Sequence, residues 1–131
     1  MSTSRRVAIL GGVRIPFCKN NTAYFDVGNL GMSVRTLGAL VEKFGLHGQQ
    51  LGEVAMGAVI KHSSDWNLGR EAALSSGLSP LTPGITLQRA CGTSLDTIIH
   101  IAGKIATGQI ESGIGGGSDT TSDVPIVYGQ S

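Results

Sequence analysis

Leu30, Val34, Leu37, Val41 and Phe44 recur at steps of four, three, four and three, the spacing that gathers apolar side chains on one face of a helix. Asn29 in front and Gly45 behind predict its N-cap and its stop. Upstream, residues 6–13 are a short apolar run closed by a glycine pair, which predicts a buried strand, and residues 14–28, with Pro16, Asn20 and Asn21, predict a loop. Residues 53–60 predict a second buried strand. Polar residues 61–66 follow, and Asn67 then stands where it can cap a short helix through Arg70, Ala72, Ala73 and Leu74 that Gly77 ends.

Pro80 and Pro83 turn the chain into a third predicted strand at residues 85–88, which feeds a longer helix beginning at Cys91. Leu95, Ile98, Ile99, Ala102, Ile105 and Ala106 make one apolar stripe on that helix, with Asp96 in the first turn, Lys104 in the last and Gly108 as a stop. Ile101 lies off the stripe, so cover is expected on more than one side. Residues 110–114 predict a fourth strand running into Gly115-Gly116-Gly117 and a polar loop at 118–123. Strands and helices alternate throughout, which predicts an α/β layered domain with a largely parallel sheet.

Composition narrows the possibilities by exclusion. With 131 residues the chain has the length of one domain, and 40% hydrophobic against 15% charged residues is a globular balance. Twenty glycines and only 5% aromatic residues point to tight strand-to-helix turns and close backbone packing. A net charge of +1 with no basic cluster leaves no electrostatic footprint for nucleic acid. Cys18 and Cys91, far apart and outside any CxxC pattern, give neither a disulfide framework nor a zinc site, so a reducing compartment, the cytoplasm, is expected. The apolar run after the basic N-terminus is too short for a signal-peptide core, and no later run approaches the length that spans a bilayer, so no membrane insertion is expected.

Cys91 is the leading candidate for chemistry. It stands where an extended segment turns into a helix, a position whose unpaired N–H groups and macrodipole favour negative charge, and Gly92 and Ser94 leave room for a substrate. Taken alone, such a residue is more often a small buried hydrophobe. Cys18 beside Lys19 has no convergent partners. His47, His62 and His100 share no metal-ligand spacing, and His100 lies about 13 Å of helical rise beyond Cys91, which excludes it as that thiol's base. Asp65, Asp119 and Asp123 read as loop carboxylates that bond turns or caps. The glycines at 113 and 115–117 do not complete GxGxxG, because position 118 is serine; close backbone approach at a strand end explains them better.

Four segments, in order along the chain, are similar to one family. Leu87-Gln-Arg-Ala-Cys91-Gly-Thr-Ser resembles the nucleophile motif of the thiolases, and Ile105-Ala-Thr-Gly-Gln followed by Gly115-Gly-Gly-Ser-Asp119-Thr-Thr-Ser-Asp-Val-Pro125-Ile resembles their strand and Gly-Gly-x-Glu/Asp loop. Val13-Arg14-Ile15-Pro16-Phe17 resembles their opening turn, and Asn67-Leu-Gly-Arg70 their Asn-x-x-Arg helix start. The Ser-Asp-Val-Pro-Ile ending and Cys-Gly-Thr-Ser are closer to the β-subunits of fatty-acid oxidation complexes than to short-chain biosynthetic thiolases.

The resemblance implies an acyl-CoA C-acyltransferase, a 3-ketoacyl-CoA thiolase of fatty-acid β-oxidation. In that chemistry Cys91 attacks an acyl thioester, its own N–H donates to the tetrahedral oxyanion, and the acyl group passes from Cys91 to CoA or to a second acyl-CoA. Coenzyme A is then a substrate, with no permanently bound cofactor and no metal. A homo-oligomer is implied, with a multienzyme β-oxidation partner subunit as a further possibility. The family's activating His, second catalytic Cys and CoA-covering loop come from later segments, so residues 1–131 are expected to be a truncated N-terminal domain: an incomplete βαβαβαβ half of the thiolase-like layered fold, short of full turnover. Two alternatives stay open: a non-catalytic thiolase-fold fragment or interaction module, and a ketoacyl-synthase-like condensing enzyme.

Overall fold

A computed structural model describes residues 3–129. In chain order the elements are α1 (Asn29–Lys43), β1 (Glu53–Met56), a 3-10 turn at Ser63–Asp65, α2 (Leu68–Ser75), β2 (Gly84–Thr86), α3 (Thr93–Ala106) and β3 (Gly113–Gly115). The strands form one parallel sheet in the order β2-β1-β3. Parallel neighbours require crossovers, and the crossovers here are α2 and α3. The central strand β1 is buried along its whole length, as a strand with a neighbour on each edge and helices over it should be.

Helix α1 meets the expectation from its periodicity. Leu37 and Val41 are fully buried against Val54, Met56, Ala72 and Leu78, and Leu30 and Val34 pack at the margin of that core. Its cap differs: Gly28 is the N-cap residue, and Asn29 is the first helical residue, buried, with its amide donating to the Ile60 carbonyl. Asn67 caps α2 as expected, its Oδ1 accepting from Arg70 N–H at 3.2 Å and from the Thr86 hydroxyl at 2.7 Å. Arg70 in turn donates to the carbonyls of Thr82, at 2.6 Å, and Pro80, at 3.0 Å, and so fixes the turn that enters β2.

Two expectations need correction. Residues 6–13 form no strand: Ile9 and Leu10 are 82% and 84% exposed, and the segment is tied down at its edges by Arg5 N–H to the Ala106 carbonyl and by Lys43 Nζ to the Gly12 carbonyl. A strand needs a ladder partner, and this run has none among the described residues. The second correction concerns α3. Thr93, Thr97 and Ile101 are its buried residues, whereas Leu95 and Ile99 of the apolar stripe are 63% and 58% exposed. Small residues face the sheet because β3 approaches very closely: a Cβ on Gly115 would fall 2.8 Å from the backbone nitrogen of Ile98. Leu95 and Ile99 therefore point away from the sheet, and the second side of cover that Ile101 implied is open among the described residues.

The far end of α3 is fastened by charge. Glu53, buried in β1, accepts from His100 Nε2 at 2.6 Å and from Lys104 Nζ at 2.7 Å. His100 and Lys104 keep access to water at 27% and 29% side-chain exposure, so most of the desolvation cost falls on the carboxylate, which has both partners. Glu53→Ala removes the acceptor shared by His100 and Lys104 and is expected to cost about 2 kcal/mol, below the range for a fully buried pair because both side chains can rehydrate. Urea unfolding followed by circular dichroism measures this. The open edges of β2 and β3 and the uncovered stripe of α3 predict concentration-dependent self-association, reduced by Leu95→Lys with Ile99→Lys. Sedimentation velocity giving one monodisperse monomer across concentrations would refute it.

Candidate active site

Cys91 lies beyond the C-terminal end of β1, where the ladder continues past the formal strands on both sides. Leu87 N–H donates to the Met56 carbonyl at 3.0 Å, and Ser118 N–H to the Gly57 carbonyl at 3.0 Å. These bonds draw the segment after β2 and the segment after β3 against the same short stretch of chain. Gly57 sits between them with no room for a side chain, since a Cβ there would overlap the Leu87 carbonyl and the Thr93 methyl group. The result is a shallow cleft of about 300 Å³ whose lining includes Gly57, Ala58, Cys91, Ser94 and Gly117.

The turn that carries Cys91 is compact. Gly92 N–H donates to the Arg89 carbonyl at 2.9 Å, and Ala90 has φ of +42°, a left-handed conformation that a side chain disfavours. Helix α3 starts two residues after the cysteine, with Gly92 as its N-cap, so Cys91 precedes the helix instead of opening it. The cysteine is exposed and free. This departs from a small buried hydrophobe, the ordinary state of an unpaired cysteine.

Loop carboxylates do what short polar side chains do in turns, and one of them shapes the cleft. Asp119 Oδ2 accepts from Val59 N–H at 2.8 Å and Oδ1 from Ile60 N–H at 3.1 Å, and the Asn29 amide stands 3.5 Å from the same carboxylate. That carboxylate thus holds the segment after β1 against the loop after β3. Thr97 fastens the neighbouring wall, its hydroxyl bonding the carbonyls of Ser94 at 2.8 Å and Gly116 at 3.1 Å. Asp65 accepts from the Ser64 hydroxyl, and Asp123 pairs with His62 at 3.0 Å.

None of the three histidines lines the Cys91 cleft. His100 is engaged with Glu53, His62 with Asp123, and His47 lies against Gly77. Cys18 is half-buried in the N-terminal loop near Tyr24, whose hydroxyl donates to the Pro16 carbonyl at 3.0 Å; desolvation, then hydrogen bonding to Cys18, holds that phenol above the usual tyrosine range. A larger depression of about 920 Å³ runs between residues 59–66 and 124–128, bordered by Lys61, His62, Trp66 and Tyr128. It contains no cysteine, whereas the smaller cleft holds Cys91.

The chain thus forms a parallel α/β unit with an exposed cysteine just ahead of a helix, at the mouth of its central strand. Residues 7–131 match the family model described as "Thiolase, N-terminal domain", and the chain belongs to the thiolase family. It is 36% identical over 121 residues to a 3-ketoacyl-CoA thiolase of Photorhabdus laumondii, covering 92% of this chain and 28% of that protein. A 3-ketoacyl-CoA thiolase of Shewanella frigidimarina is 34% identical over 125 residues, or 95% of this chain and 29% of its own length. The crystal structure of the Bacillus anthracis acetyl-CoA acetyltransferase superposes with a TM-score of 0.79 at 28% identity, over 85% of this chain and 28% of that one. The chain thus spans under a third of the length of the relatives it matches.

The sequence alone singled out Cys91, Gly92 and Ser94 but left Thr93 and Gly57 unremarked. Thr93 stood inside the quoted motif, and its burial at a helix start was the available signal. Gly57 carried no local signal, because its neighbours in space come from residues 87 and 93. Gly57→Ala is expected to cost about 3 kcal/mol, since backbone and not a flexible side chain must move. Thermal unfolding against Gly12→Ala, where an added Cβ meets open space, provides the measurement and its control.

Proposed function

We propose that residues 1–131 are the N-terminal domain of a 3-ketoacyl-CoA thiolase, with Cys91 as its nucleophile. The observation that carries this is an exposed thiol beside a glycine-walled cleft, at the end of a buried parallel strand. In the cleavage direction Sγ adds to the keto carbonyl of a 3-ketoacyl-CoA, and the carbon–carbon bond breaks. Its electrons pass to the acetyl-CoA carbon, which takes up a proton, and the shortened acyl group stays on Cys91 as a thioester. The thiol of CoA then attacks that thioester, restoring Sγ and releasing acyl-CoA. Condensation runs through the same acyl-Cys91 species in reverse.

Coenzyme A enters this reading as a substrate, without a permanently bound cofactor. The physiological setting that fits is fatty-acid β-oxidation in the cytoplasm, by a homo-oligomer with a partner subunit of a β-oxidation complex. Thiol activation needs a base within hydrogen-bond reach of Sγ, and His47, His62 and His100 have other neighbours. Residues 3–129 therefore account for the acyl carrier and the floor of the site, and full turnover is not expected of them alone. Among the described residues no helix is long and apolar enough to cross a membrane.

Intact-mass analysis after incubation with an acyl-CoA tests the reading. An acyl adduct on the parent protein and on Cys18→Ser, absent from Cys91→Ser, is the expected result. A folded protein that takes up no acyl group would favour the second reading, a thiolase-fold module without catalysis.

A further inference from the structure

Thr93 is buried to 5% exposure directly beneath the Cys91 turn, yet its side chain ends in a hydroxyl. That hydroxyl accepts from Arg89 N–H at 2.8 Å and donates to the Ala90 carbonyl at 2.8 Å. One side chain thus uses both hydrogen-bonding capacities on the chain either side of Ala90, the residue held at φ of +42° immediately before Cys91. An alanine in that conformation persists only where its surroundings determine it. The methyl group of Thr93 points the other way, against Gly57. The backbone closes the same turn, Gly92 N–H donating to the Arg89 carbonyl at 2.9 Å and Thr93 N–H to the Ala90 carbonyl at 3.2 Å, whereas the Arg89 side chain, 3.0 Å from Asp96 but 72% exposed, contributes little.

We propose that Thr93 is the positioning residue for Cys91, holding Ala90 in its left-handed conformation so that Sγ stays exposed at the mouth of β1. The inference rests on Cys91 being the nucleophile. Thr93 touches no substrate and acts through the turn. Replacing its hydroxyl by a methyl leaves the Gly57 contact in place and deprives Arg89 N–H of its acceptor, so Ala90 relaxes towards ordinary φ and carries Cys91 with it. Glycine at position 90 adopts positive φ without cost, so Ala90→Gly is expected to offset the loss of the hydroxyl in part.

The test uses the protein with Cys18→Ser, which leaves Cys91 as the sole cysteine of residues 1–131. The rate of alkylation by iodoacetamide is measured in the native state and in urea, with circular dichroism establishing that each variant is folded. The parent is expected to react within about threefold of the unfolded chain, as an exposed thiol without an adjacent base does. Thr93→Val is expected to fall at least about fivefold below the parent as Sγ turns out of solvent, Thr93→Ser to stay within about twofold of the parent, and Ala90→Gly to restore part of the Thr93→Val deficit. A Thr93→Val protein that keeps the parent rate overturns the positioning role while leaving the nucleophile intact. Thr93→Ser falling as far as Thr93→Val overturns it too, because the methyl group and not the hydroxyl would then matter. A native parent at least about tenfold slower than its unfolded chain has no accessible Sγ, which sinks the nucleophile reading itself. If Thr93→Val does not fold, Thr93→Ser decides alone: retention of the parent rate supports the hydroxyl, and loss refutes it.

Discussion

The approach of three chain segments to the end of β1 is the constraint on which the rest depends. Gly57 occupies a point where the Leu87 carbonyl, the Thr93 methyl group and the bond to Ser118 converge, and no larger residue fits. That close approach sets the height of α3 above the sheet, with Thr93, Thr97 and Ile101 facing inward and Leu95 and Ile99 outward. Fold and site are therefore one packing problem. The cleft beside Cys91 is the gap that remains once backbones meet at their minimum distance.

Hydrogen bonds then turn proximity into definite geometry. Asp119 satisfies two N–H groups of the segment after β1, Thr97 joins α3 to the end of β3, and Thr93 bonds the chain on both sides of Ala90. Each is a short side chain bonding nearby backbone, a role in which little rotamer entropy is lost. The Glu53 cluster, at the opposite end of α3, contributes attachment and no chemistry, and it occupies the one histidine that shares a helix with the site. Such an arrangement holds the exposed Cys91 thiol in place, with none of the three histidines lining its cleft.

Legibility followed the range of the interactions involved. Helix α1 was readable because its periodicity is local, and Asn67 because a cap and the N–H that donates to it lie within one turn. The thiolase resemblance was readable because it rides on short motifs, and the match over residues 7–131 bears it out. Residues 6–13 misled because an apolar β-like run is only half of a strand; the other half is a neighbour, which is absent among the described residues. The stripe of α3 misled in a different way. Amphipathicity says that a face will be covered, and here the sheet took the small-residue face while the larger one stayed open.

By itself, the sequence determined the α1 core face, the family and the alternation of strands and helices from α1 onward, since each is written in neighbouring positions. Tertiary structure decided which run became a strand, which face of α3 met the sheet, and how residues 57, 87, 93 and 119 build a cleft around position 91. The reason is physical: a ladder partner, a backbone contact and the acceptor for a buried hydroxyl belong to pairs of segments far apart in the chain. No single stretch of residues contains them.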